Sequence, residues 1–140
     1  MKDLYTVARD HGVVIERWPL TPPLEAVYIK EPCLPPIIAM SSHIAEDSPK
    51  YRTVLAHELG HHFTTAGDVL PCKMYSYADH LDQSRAEHRA NKWAADYLIP
   101  WDKLAAALRA GIVERWEIAE HFGVTEEMAD YRVRNLFGLA

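Results

Sequence analysis

The segment VLAHELGHHFTT, residues 54–65, contains side chains that together can bind a metal ion and activate water. If it is helical, His57 and His61 lie about 40° apart around the axis and one turn apart along it, so both imidazoles can bind one ion. Glu58 projects about 100° from His57, where its carboxylate can reach water at the ion without binding the ion itself. The pattern H-E-x-x-H therefore predicts a catalytic zinc site with Glu58 as the general base.

His62 follows His61 directly but projects about 100° away from it, so the two rings cannot bind the same ion. We therefore expect His62 to serve the structure. Leu55, Leu59 and Phe63 form a stripe on the side of the helix opposite the metal-binding face, which suits packing against a core. The alternative to a metal site is a helix on which surface histidines have this spacing by chance.

A catalytic zinc usually binds a third protein ligand and leaves one position open. One known continuation of the motif places glycine at position 64 and histidine at position 67, but this chain has Thr64 and Gly67. We favour a carboxylate from a second helix, Glu87 in EHRANKWAADYLIP, residues 87–100. Glu87 could instead cap that helix, because Ser84 and Glu87 are spaced as a capping box. The preceding loop offers three other donors: Asp79, His80 and Asp82.

The second helix presents one stripe of residues along its length: Glu87, Asn91, Ala94 and Leu98. Asn91 is one turn beyond Glu87, so its side-chain oxygen can accept a ring N–H from a ligating histidine, for which we choose His57. Such a hydrogen bond would fix the tautomer of the ring. The small Ala94 allows the second helix to approach the first closely.

Short elements precede the first metal-binding helix, and further helices follow it. We predict a helix over residues 2–11 and strands over 13–18, 26–30 and 36–41. One helix begins at Ser48-Pro49 and carries the H-E-x-x-H motif. Later helices cover 84–99, 101–109, 114–122 and 125–136. The proline-rich links PLTPP and EPCLPP favour a small antiparallel sheet of about three strands. Residues 66–81 are expected to be irregular. The predicted class is α+β, with an N-terminal helix, a small sheet, two metal-binding helices and a helical tail.

The chain of 140 residues fits one domain, with the first helix and the sheet in 1–45, the metal-binding helices in 46–100 and the tail in 101–140. Its formal charge of −5 gives no overall attraction to nucleic acid or to anionic membranes. We find neither a signal peptide nor a membrane-spanning segment. Cys33 and Cys72 stand far apart, as expected of unpaired thiols in a reducing cytoplasm, which is where we expect the protein.

The tail segment IAEHFGVTEEMADYRVRNL, residues 118–136, spaces Ala119, Gly123 and Val124 as in a helix-turn-helix. That spacing is mainly a packing rule for two short helices. From residue 114 onward the acidic residues outnumber the arginines: Glu114, Glu117, Glu120, Glu126, Glu127 and Asp130 against Arg115, Arg132 and Arg134. Because acidic surfaces repel phosphates, we expect no direct binding of nucleic acid. We predict that the tail is a structural helical pair that closes the active-site cleft or docks a protein partner.

Hydrolysis of a peptide bond also requires a donor to the developing oxyanion. Four residues of the loop and the tail have suitable side chains: Tyr75, Tyr77, His80 and Tyr131. Tyrosines in such a loop more often pack than catalyse, and the sequence does not choose among the four.

HELGH at residues 57–61, followed by E-x-x-A-N-x-x-A-A-x-x-x-x-P at 87–100, resembles the ImmA/IrrE metallopeptidases. The resemblance covers most of the chain and implies a minimal zincin-like domain. It also implies Glu58 as the general base and one Zn²⁺ per chain on three ligands: His57, His61 and Glu87. Members of this family cleave, or otherwise relieve, a partner repressor of the helix-turn-helix type. The tail departs from the larger members, in which a sensor-like C-terminal domain follows.

Three functions agree with these features. The first is a zinc-dependent endopeptidase that hydrolyses a peptide bond in a regulatory protein, such as a helix-turn-helix repressor of a mobile element or a stress response. The second is a non-catalytic, zinc-stabilised module that binds and sequesters a repressor. Glu58 argues against the second, because a structural site has no use for a base there. The third is a DNA-binding regulator, which the acidic tail opposes.

Overall fold

The computed structural model describes residues 3–65, 73–76 and 85–138. Their helices and strands are, in chain order, α1 (Leu4–Asp10), β1 (Val14–Trp18), β2 (Ala26–Lys30), β3 (Ile37–Ser41), α2 (Pro49–Thr65), β4 (Lys73–Ser76), α3 (Arg85–Leu98), α4 (Trp101–Arg109), α5 (Arg115–Phe122) and α6 (Glu126–Leu136). The predicted α+β class is confirmed, with its N-terminal helix, small sheet and helical tail. Among these described helices, none has the length and apolar character needed to cross a membrane.

The strands form one mixed sheet in the order β1-β3-β2-β4. β2 pairs antiparallel with β3, but β1 pairs parallel with β3, with Val14 opposite Ile37 and Trp18 opposite Ser41. The sheet therefore differs from the purely antiparallel one that the sequence predicts. The first three strands do alternate in direction along the chain, but β3 lies between β1 and β2. The link of residues 19–25 permits this order, because crossing one strand spans about 10 Å and seven residues can reach roughly 20 Å.

The fourth strand is a second difference, because the sequence predicts an irregular stretch over residues 66–81. Lys73–Ser76 instead pairs antiparallel with β2 at the edge of the sheet, with Tyr75 opposite Tyr28. This strand is short, and its sequence KMYS has no run of β-branched residues. Pairing with a distant part of the chain, rather than a local pattern, therefore determines it.

α2 is the central helix and contacts α1, β2, β3 and α3. It begins at Pro49, and the Oγ of Ser48 accepts a backbone N–H of the first turn at 3.1 Å, so Ser48 is the N-cap that the sequence predicts. Leu55 and Leu59 are fully buried, and Phe63 is half-buried against the core. The apolar stripe of α2 thus packs as predicted.

The turn between α5 and α6 is attached to α2. Arg52 of α2 donates hydrogen bonds to the carbonyl oxygens of Phe122 and Gly123, at 2.6 and 2.8 Å, and so caps the C-terminus of α5. Gly123 has a φ of 66°, and a Cβ there would lie 2.7 Å from the Arg52 guanidinium, so glycine is favoured. Thr53 of α2 accepts a hydrogen bond from the Thr125 N–H at 3.2 Å.

α6 is attached to the end of α3 by Arg132. This side chain is buried, its Nε donates to the Ile99 carbonyl oxygen at 2.9 Å, and its Nη1 donates to Asp96 Oδ1 at 2.5 Å. The tail therefore packs against both helices that were predicted to bind metal.

Candidate metal centre

His57 and His61 on α2 meet Glu87 on α3 in the interior of the protein. The Nε2 atoms of His57 and His61 lie 2.9 and 3.0 Å from the two carboxylate oxygens of Glu87. One ligand atom from each residue can be chosen so that all three lie within 4.8 Å of one another. Neither histidine has exposed surface, and Glu87 is 5% exposed. In the described part of the chain, this is the one cluster of potential ligands close enough to share an ion.

The close approach of α2 and α3 depends on Gly60, which lies between the two histidines in the chain. A Cβ on Gly60 would lie 2.9 Å from the Cα of Ala90 and closer still to the Ala90 carbonyl oxygen. No larger residue therefore fits unless α3 moves. The stripe on the second helix indicates Ala94 as the small residue of this interface but does not identify Gly60. The sequence offers one other indication of Gly60. Glycine inside a helix is about 1 kcal/mol less favourable than alanine, so a glycine at this position indicates a close packing contact.

Asn91 holds His57 in one orientation. Its Oδ1 lies 2.7 Å from His57 Nδ1, which is the contact that the helical stripe predicts. Because an amide oxygen can only accept, the ring hydrogen is on Nδ1, and Nε2 is directed toward Glu87. The rings of His57 and His61 are edge to face, with centroids 4.8 Å apart and planes at 89°. Their Nε2 atoms therefore converge on Glu87 from two directions.

The charges of the cluster suit a cation. Burial favours a higher pKa for Glu87, but the adjacent His57 and His61 outweigh burial and lower the pKa to about 2. Burial lowers the pKa of His57, against the opposing effect of Glu87. At neutral pH these shifts favour an anionic carboxylate and a neutral imidazole, which are the forms in which these groups bind metal ions.

Glu58 lies next to His57 in α2 and has no exposed surface. Its side chain leaves the helix about 100° away from that of His57. The cluster accordingly comprises His57, His61 and Glu87, without Glu58. A carboxylate beside a metal site, rather than in it, can accept a proton from water bound at that site.

His62 is directed away from the cluster. Its Nδ1 lies 2.9 Å from the hydroxyl of Tyr28 on β2, and the two rings are edge to face with centroids 5.9 Å apart. Burial lowers the pKa of His62. The ring therefore connects α2 to the sheet, in agreement with a structural role.

Tyr131 is the one candidate oxyanion donor whose side chain the structure describes. Its hydroxyl lies 3.4 Å from Nδ1 of His88, the residue that follows Glu87 on α3. Burial raises the pKa of Tyr131, so the hydroxyl keeps a hydrogen to donate at neutral pH. Tyr75 lies in β4, of which only the backbone is described. The other candidate donors, ligands and cap lie outside the described residues: Tyr77, Asp79, His80, Asp82 and Ser84.

Residues 8–134 match the sequence profile of Peptidase_M78, described as an IrrE N-terminal-like domain. The matched region extends from the last turn of α1 into α6 and contains all three candidate metal ligands. No curated protein matches the chain.

Proposed function

The chain belongs to the Peptidase_M78 family, and from this membership we propose that it is a zinc-dependent endopeptidase that hydrolyses a peptide bond in a regulatory protein. The observation that carries the proposal is the buried cluster of His57, His61 and Glu87, which α2 and α3 bring within reach of one ion. Glu58, adjacent to the cluster on α2, supplies the base that hydrolysis needs.

The cluster fits zinc in the type and spacing of its donors. Two imidazoles and one carboxylate are a known ligand set of catalytic zinc, and they leave the fourth tetrahedral position open. Bonds of about 2.0–2.1 Å at tetrahedral angles place neighbouring ligand atoms about 3.3 Å apart. The Nε2 atoms of His57 and His61 lie 2.9 and 3.0 Å from the oxygens of Glu87, which is close to this spacing. We propose one zinc ion per chain on these three residues.

Zinc bound there would polarise the scissile carbonyl and lower the pKa of water toward ~7. The other steps belong to the residues of the chain. Glu58 takes a proton from the attacking water and passes it to the leaving amide nitrogen. Asn91 keeps His57 in the tautomer whose Nε2 can bind metal. A donor to the oxyanion completes the mechanism, and we retain four candidates: Tyr75, Tyr77, His80 and Tyr131.

The resemblance to ImmA/IrrE peptidases supports a helix-turn-helix repressor as the protein substrate and the cytoplasm as the place of action. Burial of the candidate metal centre favours a second function, in which a structural zinc stabilises a binding module. His57, Glu58 and His61 have no exposed surface, as expected of zinc that serves stability. In that case the protein would bind and sequester the repressor without cleaving it.

Replacing Glu58 with glutamine separates the two functions, because glutamine is nearly isosteric but cannot take up the proton. We expect Glu58→Gln to retain its zinc and its fold and to cleave the proposed repressor substrate roughly 10²–10⁴-fold more slowly. Glu127→Gln removes the same charge from an exposed position on α6 and should cleave at the wild-type rate.

Metal analysis, mass spectrometry of the fragments and a reporter under control of the repressor provide the measurements. If Glu58→Gln relieves repression as well as the wild type while its zinc remains bound, catalysis is not the function. Sequestration then replaces it.

A further inference from the structure

An open groove of about 260 Å³ lies along α5 on the surface of the tail. Among the described residues, its lining comprises Ile112, Trp116, Glu117, Glu120 and His121. Trp116 is 56% exposed, and Val113, beside Ile112 in the chain, is 58% exposed. Large apolar side chains exposed together on a folded domain commonly mark a surface that binds another molecule.

The fold does not account for this exposed apolar surface. Ile118 and Ala119 form the buried side of α5, and the hydrogen bonds from Arg52 fix its C-terminus on α2. The exposed part of Trp116 adds nothing to that packing. Tryptophan is among the residues that contribute most binding energy at protein interfaces, so its exposure here points to a partner.

Acidic side chains determine which partner fits. Glu117 and Glu120 line the groove, and residues 112–121 contain three glutamates and one arginine. That arginine, Arg115, pairs with Glu126 at 3.6 Å. The surface therefore repels the phosphates of nucleic acids and of anionic lipids and attracts a cationic partner. A second copy of the chain, with its formal charge of −5, is a poorer match.

We propose that this groove docks a basic, amphipathic helix of a partner protein. Apolar side chains of that helix cover Trp116, and its lysines or arginines face Glu117 and Glu120. The eight residues of α5 measure about 12 Å, so the contact involves about two turns of the partner. The bonds from Arg52 to the end of α5 hold the groove in a fixed position relative to α2 and its metal ligands.

The identity of the partner rests on the proposed function. A repressor that binds DNA must present basic residues to the phosphates, and such residues match the acidic groove. Docking on α5 would hold the substrate at a place separate from the metal centre. The binding itself does not depend on catalysis and can be measured without it.

The test uses a defined probe, a synthetic peptide of about 18 residues that forms a helix with leucine on one face and lysine on the other. One control peptide has the same composition in scrambled order, and another has glutamate in place of lysine. Titration of the probe into zinc-loaded, isotope-labelled protein should shift backbone resonances of residues 112–121. We expect Trp116→Ala to weaken binding at least about tenfold, as for an aromatic residue at the centre of an interface. Glu120→Lys should also weaken it, and raising the salt concentration should reduce this second effect.

Trp101→Ala and Asp102→Lys are matched controls, because they change an exposed tryptophan and an exposed acid on α4. Both should leave the affinity unchanged. Three results would overturn the proposal, because each would show only a general attraction to an acidic protein. They are an equal loss of affinity in these controls, equal binding of the scrambled peptide, and resonance shifts outside residues 112–121. Self-association that Trp116→Ala abolishes would overturn it in favour of a second copy of the chain.

The kinetics of cleavage of a protein substrate distinguish docking from catalysis. Trp116→Ala should raise KM at least about tenfold with kcat unchanged, while a short peptide containing the scissile bond is cleaved at the wild-type rate. If the probe binds in the groove but no substrate is cleaved, the proposed function fails and the docking site stands. If substrate is cleaved but the probe does not bind in the groove, the docking proposal fails alone.

Discussion

Replacing Gly60 with alanine tests how closely the metal centre depends on the separation of α2 and α3. The new Cβ would lie 2.9 Å from the Cα of Ala90 and closer to the Ala90 carbonyl oxygen. Carbon atoms in contact are normally about 3.5–4.0 Å apart, so α3 must move away by roughly 1 Å. Glu87 lies one turn before Ala90 on α3, and its carboxylate moves with the helix.

Stability and zinc binding should respond to this change by different amounts. Without zinc, the better helix propensity of alanine contributes about 0.5–1 kcal/mol and overpacking costs about 1–3 kcal/mol, so the net loss is roughly 0–2.5 kcal/mol. Metal–ligand distances tolerate only about ±0.2 Å, which is several times less than the expected displacement of Glu87. We therefore expect zinc affinity to fall at least about tenfold, or ~1.4 kcal/mol.

Competition with a chelator of known affinity measures zinc binding, and thermal unfolding in EDTA measures the stability of the zinc-free protein. The double variant Gly60→Ala/Ala90→Gly is the informative control. It removes a methyl group from Ala90 but leaves the backbone atoms with which the new Cβ collides, so it should not recover zinc affinity. Wild-type affinity in Gly60→Ala, or full recovery in the double variant, would refute the reasoning from backbone contact.

Glu87→Ala should lose most of its zinc and His62→Ala should keep it, as measured by metal analysis; undiminished zinc in Glu87→Ala would leave Glu87 as a helix cap only. A gel-shift assay against promoter DNA at moderate salt should show no sequence-preferring complex, and a specific complex would contradict a structural role for the tail. Arg132→Met should lower the free energy of unfolding by about 1–3 kcal/mol, because the Ile99 carbonyl oxygen loses its buried donor. Burial favours a higher pKa for Asp96, but hydrogen bonds with a neighbouring lysine and with Arg132 outweigh it and lower the pKa. The stabilisation by this carboxylate is therefore fully present above the unfolded pKa, about 3.9, and is lost as the pH falls through the lower folded pKa. Unfolding of the zinc-free proteins at a series of pH values should show the difference between wild type and Arg132→Met decreasing in that range; a constant difference would contradict the pairing.

The ligand positions could be predicted from sequence because they depend on the geometry of single helices. His57 and His61 share a face of α2 whatever surrounds it, and Glu87 and Asn91 share a face of α3. Predicting the contact between Asn91 and His57 required one further assumption, that these faces of α2 and α3 pack against each other. The small Ala94 on the same face of α3 favours such packing. Periodicity thus paired His57 with His61 and Glu87 with Asn91, and the need of a catalytic zinc for a third ligand favoured Glu87.

The sheet and the closest helix contact could not be predicted in this way because they are tertiary. The order of the strands depends on which strand pairs with each edge of β3, and this is not determined locally. The alternation of apolar residues does not distinguish a parallel from an antiparallel neighbour, so it does not predict strand direction either. β4 forms because an edge of β2 is available to it. Gly60 contacts the backbone of Ala90, and a backbone atom has no signature in the residue types of the partner helix.

The tail uses the spacing of a helix-turn-helix in a way that suits protein partners better than DNA. In a DNA-binding pair, basic side chains of the second helix reach phosphates and base edges. In this protein Arg132 of that helix is buried, and Arg115 and Arg134 lie 3.6 and 2.7 Å from carboxylate oxygens. The groove on α5 presents Trp116 among glutamates, which is a surface for a cationic protein. The proposed substrate, a repressor, is such a protein, so under this proposal the tail holds the molecule that the metal centre cleaves. The proposal thus assigns docking to the acidic helical pair and catalysis to α2 and α3, which carry the candidate metal ligands.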